Sequence, residues 1–247
     1  MPASFAIKWV AELAHVHEVS LFGTADLAYW RNRLANETLV PAEKEGKAQI
    51  IIVAAAMRFM AIPFREVSIS VLVSPPKHGT WREASFLVQA FNSCRFFAFW
   101  ERAFFSTPYD YADARVSASV PCSIQLVVGD EVILRAEMQA DARTANRASS
   151  RAGDETWEGP IFIPGRGHLK HDQRRAFFGK LQGHTRRCPF QPASDSLTIR
   201  PSPDGEILQA LIDSHFAAEE WVVRSDARHA KSKTYRRSEV YAEPAHT

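Results

Sequence analysis

Glu66 stands in a segment, Phe64 to Val73, where Phe64, Glu66, Ser68 and Ser70 alternate with Val67, Ile69, Val71 and Val73. A carboxylate on the polar face of such a strand can move a proton if that face lines a cavity, and is an ordinary surface charge if it faces water. Alternation alone leaves both readings open. Tyr109 and Asp110 follow Ser106, Thr107 and Pro108, so a phenol and a carboxylate adjoin in a stretch that reads equally as a turn. His15 and His17 lie two apart and share a strand face, as two metal ligands would, or as two solvent-facing imidazoles. His168, His171, His184 and Cys188 form His-x2-His followed by His-x3-Cys, ligand types that suit tetrahedral zinc. The usual first pair of such a site is two cysteines, so surface histidines in an Arg-rich region are the reading adopted, and no metal is expected.

These residues need elements to hold them. His15 to Phe22 reads as a strand and Asp26 to Leu34 as a helix, with Leu27, Trp30, Arg31 and Leu34 at helical spacing. Pro41 and a charged run precede Ala48 to Phe59, whose unbroken apolar character predicts a strand buried on both faces. After the strand Phe64 to Val73 come a turn at Pro75, Pro76, His78 and Gly79, a strand from Ala84 to Phe91, and a short buried helix from Cys94 to Phe105, crowded with phenylalanines. Ala112 to Val120, Ser123 to Val128 and Glu131 to Met138 read as strands, the last two joined by a hairpin at Gly129-Asp130.

Asp141 to Gly153 is polar, lacks apolar periodicity and is expected to be a mobile loop. The spacing then predicts a Gly- and Pro-rich turn over Gly159 to Gly167, a helix over Asp172 to Leu181, a strand over Ser196 to Arg200 and a helix over Glu206 to His215. Arg174, Arg175, Lys180, Arg186 and Arg187 beside Phe177 and Phe178 are read as a solvated helix face with a buried aromatic pair, an anion site being the alternative. From Asp226 to Thr247 the chain is basic and is expected to be a solvated tail. Many strands, few helices and no βαβ alternation predict an α+β fold, mainly antiparallel β and barrel-like, as one domain over the 247 residues.

Composition narrows the function classes. With 30 Lys and Arg against 28 Asp and Glu, the net charge of +2 lacks the excess that phosphate-backbone binding requires, so no nucleic-acid partner is expected. Cys94, Cys122 and Cys188 offer no paired framework, and no secretory signal is read at the N-terminus, which predicts a cytoplasmic protein. The apolar runs Ile50 to Ala56 and Phe96 to Phe105 are too short to cross a bilayer, so no membrane association is expected. No phosphate-binding P-loop, Gly-x-Gly-x-x-Gly, Gly-x-Ser-x-Gly or His-Glu-x-x-His motif occurs, which removes support for nucleotide, serine-hydrolase and zincin chemistry.

Over roughly residues 21–138 the order of features resembles the acetoacetate decarboxylase family. Thr24 and Asp26 lead into a helix ending before Pro41. Phe64-Arg65-Glu66 is similar to the family's Tyr-x-Glu strand, and Glu101-Arg102 through Thr107-Pro108-Tyr109 is similar to its Gly-Arg-Glu…Tyr-Pro-Lys segment. The resemblance implies a cone-like β-barrel around a central cavity, a small-molecule substrate and a homo-oligomer. Only Glu66 and Arg102 carry over by identity. The family's Schiff-base lysine and its neighbour correspond to Tyr109 and Asp110, its other cavity glutamate falls near Ile51, and its carboxylate-gripping arginine near His15.

Without an amine at those two positions the iminium chemistry of the family is not expected here. The resemblance instead implies a cofactor-free lyase acting on a keto- or hydroxy-acid-like molecule by acid-base chemistry. Glu66, Tyr109 and Asp110 would be catalytic, and Arg102 and His15 would contact the substrate. The alternative is a binding protein that kept the barrel and lost the chemistry. The two differ at Glu66: an enzyme needs a second titratable group within hydrogen-bond reach, whereas a binder can use a single polar anchor.

Overall fold

The computed structural model describes residues 7–74, 83–139, 151–165, 174–201 and 208–241. The first half of the chain forms β1 (Trp9–Asp26), α1 (Leu27–Ala35), β2 (Glu43–Lys44), β3 (Lys47–Phe59), β4 (Ile62–Val73), β5 (Ala84–Asn92) and α2 (Arg95–Phe105). Next come β6 (Tyr109–Tyr111), β7 (Asp113–Ser117), β8 (Ser123–Val128) and β9 (Glu131–Glu137). The remainder forms β10 (Arg151–Phe162), β11 (Arg175–Pro189), β12 (Ser196–Ile199), α3 (Gln209–Asp213), β13 (Ala217–Arg236) and α4 (Arg237–Tyr241).

Nine strands build the main sheet in the order β1-β13-β11-β10-β5-β4-β3-β2, with β6 beside β5. Because β1 pairs with β3 as well as with β13, the sheet closes on itself, and every strand in it except β2 and β6 belongs to the circuit. Pairing around this circuit is antiparallel except where β10 meets β5. A smaller four-stranded sheet, β12-β9-β8-β7, lies outside it.

Closure gives each strand of the circuit an inner and an outer face, and the sequence is written accordingly. On β3 and β4, the outward Ile50, Ile52, Ala54, Val67, Ile69, Val71 and Val73 are buried. They form one core with Ala114, Ile124, Leu126, Leu134 and Ala136 of the small sheet and with Trp30 and Leu34 of α1. The inward Ile51, Val53, Ala55 and Met57 line a cavity. The unbroken apolar run of β3 thus has two causes: one face packs against the core and the other walls a hollow. The hairpin at Gly129-Asp130 joins β8 to β9, with Val128 opposite Glu131 and Gly129 at φ 60°, where glycine carries no side-chain penalty.

Several expectations fail, each through tertiary context; the turn expected over Gly159 to Gly167, for one, is the end of β10 as far as Phe162. The helix expected over Asp172 to Leu181 is instead part of β11, where Arg175 to Pro189 pairs with β10 on one side and β13 on the other. Two ladders satisfy its backbone, and Phe177 and Phe178 go to opposite faces, as a strand requires. The basic segment from Asp226, expected as a solvated tail, is the second half of β13 followed by α4, with Tyr235 and Arg237 buried. Arg237 is held there by Glu37 and by the carbonyls of Glu37 and Ile163. The helix of phenylalanines is present as α2, but it is not buried: Phe96 and Phe99 are each 56% exposed and Phe104 61%, while Ala98 is its buried residue.

Residues 151–153 of the expected loop open β10, while 141–150 and the turn at 75–79 lie outside the described residues. Among the described residues, no helix is long and apolar enough to cross a membrane.

Candidate active site

Glu66 sits on the inner face of β4, opposite Ala55 of β3 and Asn92 of β5. Tyr109 opens β6, which pairs with β5 through Ala90. This register aims the phenol at the carboxyl, and Tyr109 Oη donates to Glu66 Oε1 at 2.5 Å. Enclosure raises the pKa of Glu66 above the ordinary carboxylate range, and the nearby Glu101 charge adds to the rise. The hydrogen bond from Tyr109, with Lys231 and His229, opposes that rise without cancelling it. The Tyr109 phenol is pushed well up, first by burial and then by the charges of Glu66 and Glu101. Both shifts favour the neutral form of each group.

Lys231 enters the same space from β13. Its Nζ donates to both oxygens of Glu101 on α2, at 2.6 and 2.5 Å, and lies 4.6 Å from the ring centres of Phe105 and Phe177. Thr107 Oγ1 donates to Glu101 Oε2 at 2.8 Å and fixes the carboxylate.

His229, two residues before Lys231 on the strand, also lines the cavity, and its Nε2 is 2.7 Å from Glu18 Oε2. Glu18 is 0% exposed; it accepts from Arg224 and from Ser20 Oγ at 2.9 Å. Burial alone would raise its pKa, but the hydrogen bond and charge of His229, with Arg224 and Ser20, bring it down to about 2. Arg224 Nε in turn donates to Thr185 Oγ1 at 2.8 Å. A buried carboxylate bonded to a ring nitrogen fixes the orientation of an imidazole, and here the imidazole faces the cavity.

The cavity has a volume of about 1330 Å³. Its wall also carries a second charged group, Arg187 with Glu155 and Glu220 and Lys44 with Glu219, and is otherwise mostly apolar. Phe64, Phe97, Phe105, Phe177 and Leu181 surround the polar cluster, and Phe96, Trp100, Met60 and Ile62 line it while remaining exposed to solvent.

The other sequence-predicted residues do not join this group. Asp110 follows Tyr109 on a strand and so points the other way; it pairs with Arg102 at 3.3 Å, both half-exposed, tying α2 to β6 outside the cavity lining. His15 is on the outside of β1, its side chain 86% exposed and 3.1 Å from Asp226, so the structure does not support a substrate contact there. Ile51, near the position of the family's other cavity glutamate, is part of the wall; Glu101 lines the cavity and Glu18 stands behind it.

His168 and His171 lie outside the described residues. His184 and Cys188 are on β11, where four residues span about 13 Å, too far for one ion with bonds near 2 Å. His184 instead pairs with Asp154, and Cys188 is buried in the core.

Sequence reasoning missed Glu18, Glu101, His229 and Lys231. The available signal was the two-residue spacing of His229 and Lys231, which places both on one face of any strand. It also missed an amine: positions 109 and 110 carry none, but Lys231 reaches the cavity from the far end of the chain.

No protein-family model matches the chain, and no curated protein matches it. Solved structures do. The enduracididine biosynthesis enzyme MppR complexed with pyruvate is 12% identical with a TM-score of 0.63, over 96% of this chain and 94% of that one. An acetoacetate decarboxylase structure is 10% identical with a TM-score of 0.60, over 92% and 90%. The acetoacetate decarboxylase of Legionella pneumophila is 12% identical with a TM-score of 0.55, over 95% and 92%. Nearly the whole length is matched, at identities where only architecture is informative. The chain has the acetoacetate decarboxylase fold.

Proposed function

We propose that this protein is a lyase-type enzyme that acts on a keto- or hydroxy-acid-like molecule by acid-base chemistry, without a covalent iminium. The observation that carries this reading is the buried Tyr109–Glu66 hydrogen bond inside the cavity. It supplies the second titratable group that separates a reaction site from a single-anchor binding pocket. The ligands of a structural neighbour, pyruvate and a pyruvate condensation product in MppR, support a carbonyl acid as the substrate class.

In this reading the protonated Glu66 delivers a proton to the reacting carbon or departing oxygen. Tyr109 holds the carboxyl in position and donates to oxygen as negative charge develops there. His229, oriented by Glu18, is a second proton carrier facing the same space. Lys231 provides positive charge beside the cluster, with Glu101 engaging its ammonium through both oxygens. Asp110 and Arg102 have no part in the chemistry.

Tyr109→Phe removes one hydrogen bond and leaves the ring in place. Turnover of an identified keto acid is expected to fall about tenfold to a hundredfold, the equivalent of roughly 1.5–3 kcal/mol for a bond to a charged or charging group. Unchanged turnover would remove Tyr109 from the mechanism.

Borohydride added during turnover is expected to leave the protein mass unaltered. A reduced adduct mapping to Lys231 would instead assign the reaction to an iminium on that amine.

The rival reading, a non-catalytic binder, draws on the Tyr and Asp at positions 109 and 110 and on the apolar wall. It predicts tight ligand retention with no turnover by the wild-type protein.

A further inference from the structure

We infer that the molecule this site takes is an elongated amphiphile, a carbonyl-bearing acid head on a saturated acyl chain, rather than a short keto acid. The inference rests on the acid-base reading for the head and on independent geometry for the chain.

The cavity, about 1330 Å³, exceeds the roughly 300–1,000 Å³ that encloses a drug-sized ligand. A three-carbon acid would occupy a small part of it and leave the apolar wall unfilled.

Polarity within the cavity is gathered in two places, one around Glu66 and one where Arg187 meets Glu155 and Glu220 and Lys44 meets Glu219. Glu66 and Tyr109 are joined directly, Lys231 and Glu101 are joined beside them, and His229 adjoins on the same strand face as Lys231. By contrast, the inward residues of β3 from Ile51 to Phe59 are apolar throughout. At about 3.3 Å per residue these eight steps form an apolar track roughly 26 Å long. It passes the polar cluster at Ala55, which is in register with Glu66.

The same apolar surface continues to the outside. Trp100 and Phe96 on α2, with Met60 and Ile62 at the turn between β3 and β4, line the cavity while 40–81% exposed. Large apolar side chains left in water while they line a cavity give an apolar chain a surface along which to enter. A wall of this composition gains from each methylene that replaces water along it.

The test is direct binding of a homologous series of straight-chain 2-oxo acids, from pyruvate through 2-oxooctanoate to 2-oxododecanoate. Each is titrated calorimetrically below its micellar concentration against the wild-type protein and against Glu66→Gln. Affinity is expected to rise about fourfold per methylene, hence by roughly a hundredfold or more between the eight- and twelve-carbon acids.

Val53→Trp, which fills the track beyond Glu66, is expected to erase the gain from the longer acids. If that variant does not fold, the wild-type series decides alone. Affinity independent of chain length overturns the inference, as does a gain with length that a folded Val53→Trp protein leaves intact. A chain-length gain without turnover of any member removes only the acid-base reading, and turnover of short acids without a gain removes only this one.

Discussion

Glu66→Gln is expected to lower turnover by about 10²- to 10⁴-fold, the usual contribution of a positioned general acid or base. Gln keeps the shape of the side chain and an oxygen to accept from Tyr109, so the loss isolates the proton. The pH dependence gives a second readout. Burial holds the Glu66 carboxyl above the ordinary range, so its neutral form persists above pH 4.5 and activity as an acid falls as pH rises through the raised value. The variant should lack that limb.

Stability follows with a definite sign. For a group whose folded pKa is raised, the favourable contribution is complete below the unfolded value and is lost as pH rises through the folded one. The melting temperature of Glu66→Gln relative to wild type should therefore climb across that interval. Wild-type turnover in the variant would remove Glu66 from the chemistry.

The second large effect lies behind the cavity wall, at Glu18. Glu18→Gln removes the buried counter-charge of the nearly inaccessible Arg224 guanidinium, leaving it only the more distant Glu155 carboxylate at 3.6 Å, and breaking a buried pair from one side costs about 3–5 kcal/mol. The acid dependence leads to a similar figure. Lowering the carboxyl from 4.5 to about 2 corresponds to about 3 kcal/mol at 1.36 kcal/mol per pH unit. Because the folded pKa is depressed, that stabilisation is present above pH 4.5 and lost as pH falls toward 2.

Urea denaturation at neutral pH should show the variant destabilised by this amount. On acidification through the same window wild type should lose ground to it. Equal midpoints at neutral pH would mean that Arg224 finds another partner and that the Glu18 network is not a major support of the fold. Since Glu18 also orients His229, the variant should turn over more slowly even at temperatures where it remains folded.

Several parts of this protein are local and were legible in the chain. Alternation in Phe64 to Val73 places Glu66 opposite a buried face, because a strand's side chains alternate whatever surrounds it. The Gly129-Asp130 hairpin and the helix beginning after Asp26, whose side chain accepts from Tyr29 N at 2.6 Å, rest on turn and cap chemistry within a few residues. The resemblance to acetoacetate decarboxylases added the fold class, with which the solved structures agree.

Tertiary structure alone decided the rest of the site. Gly179 and Ala11 flank Lys231 only once β11 and β1 pair with β13, and Leu13 meets His229 across more than 200 positions. Taken by themselves, Arg175 to Pro189 and the basic C-terminal segment carry charge patterns suited to water. Ladder hydrogen bonds on both sides override that pattern and turn alternate residues inward. The aromatic residues of α2 make the same point in reverse. Their crowding predicted burial, but the helix turns Phe97, Glu101 and Phe105 to the cavity and leaves Phe99 and Phe104 in water. Local pattern determines which residues share a face, and only closure of the sheet determines what that face meets.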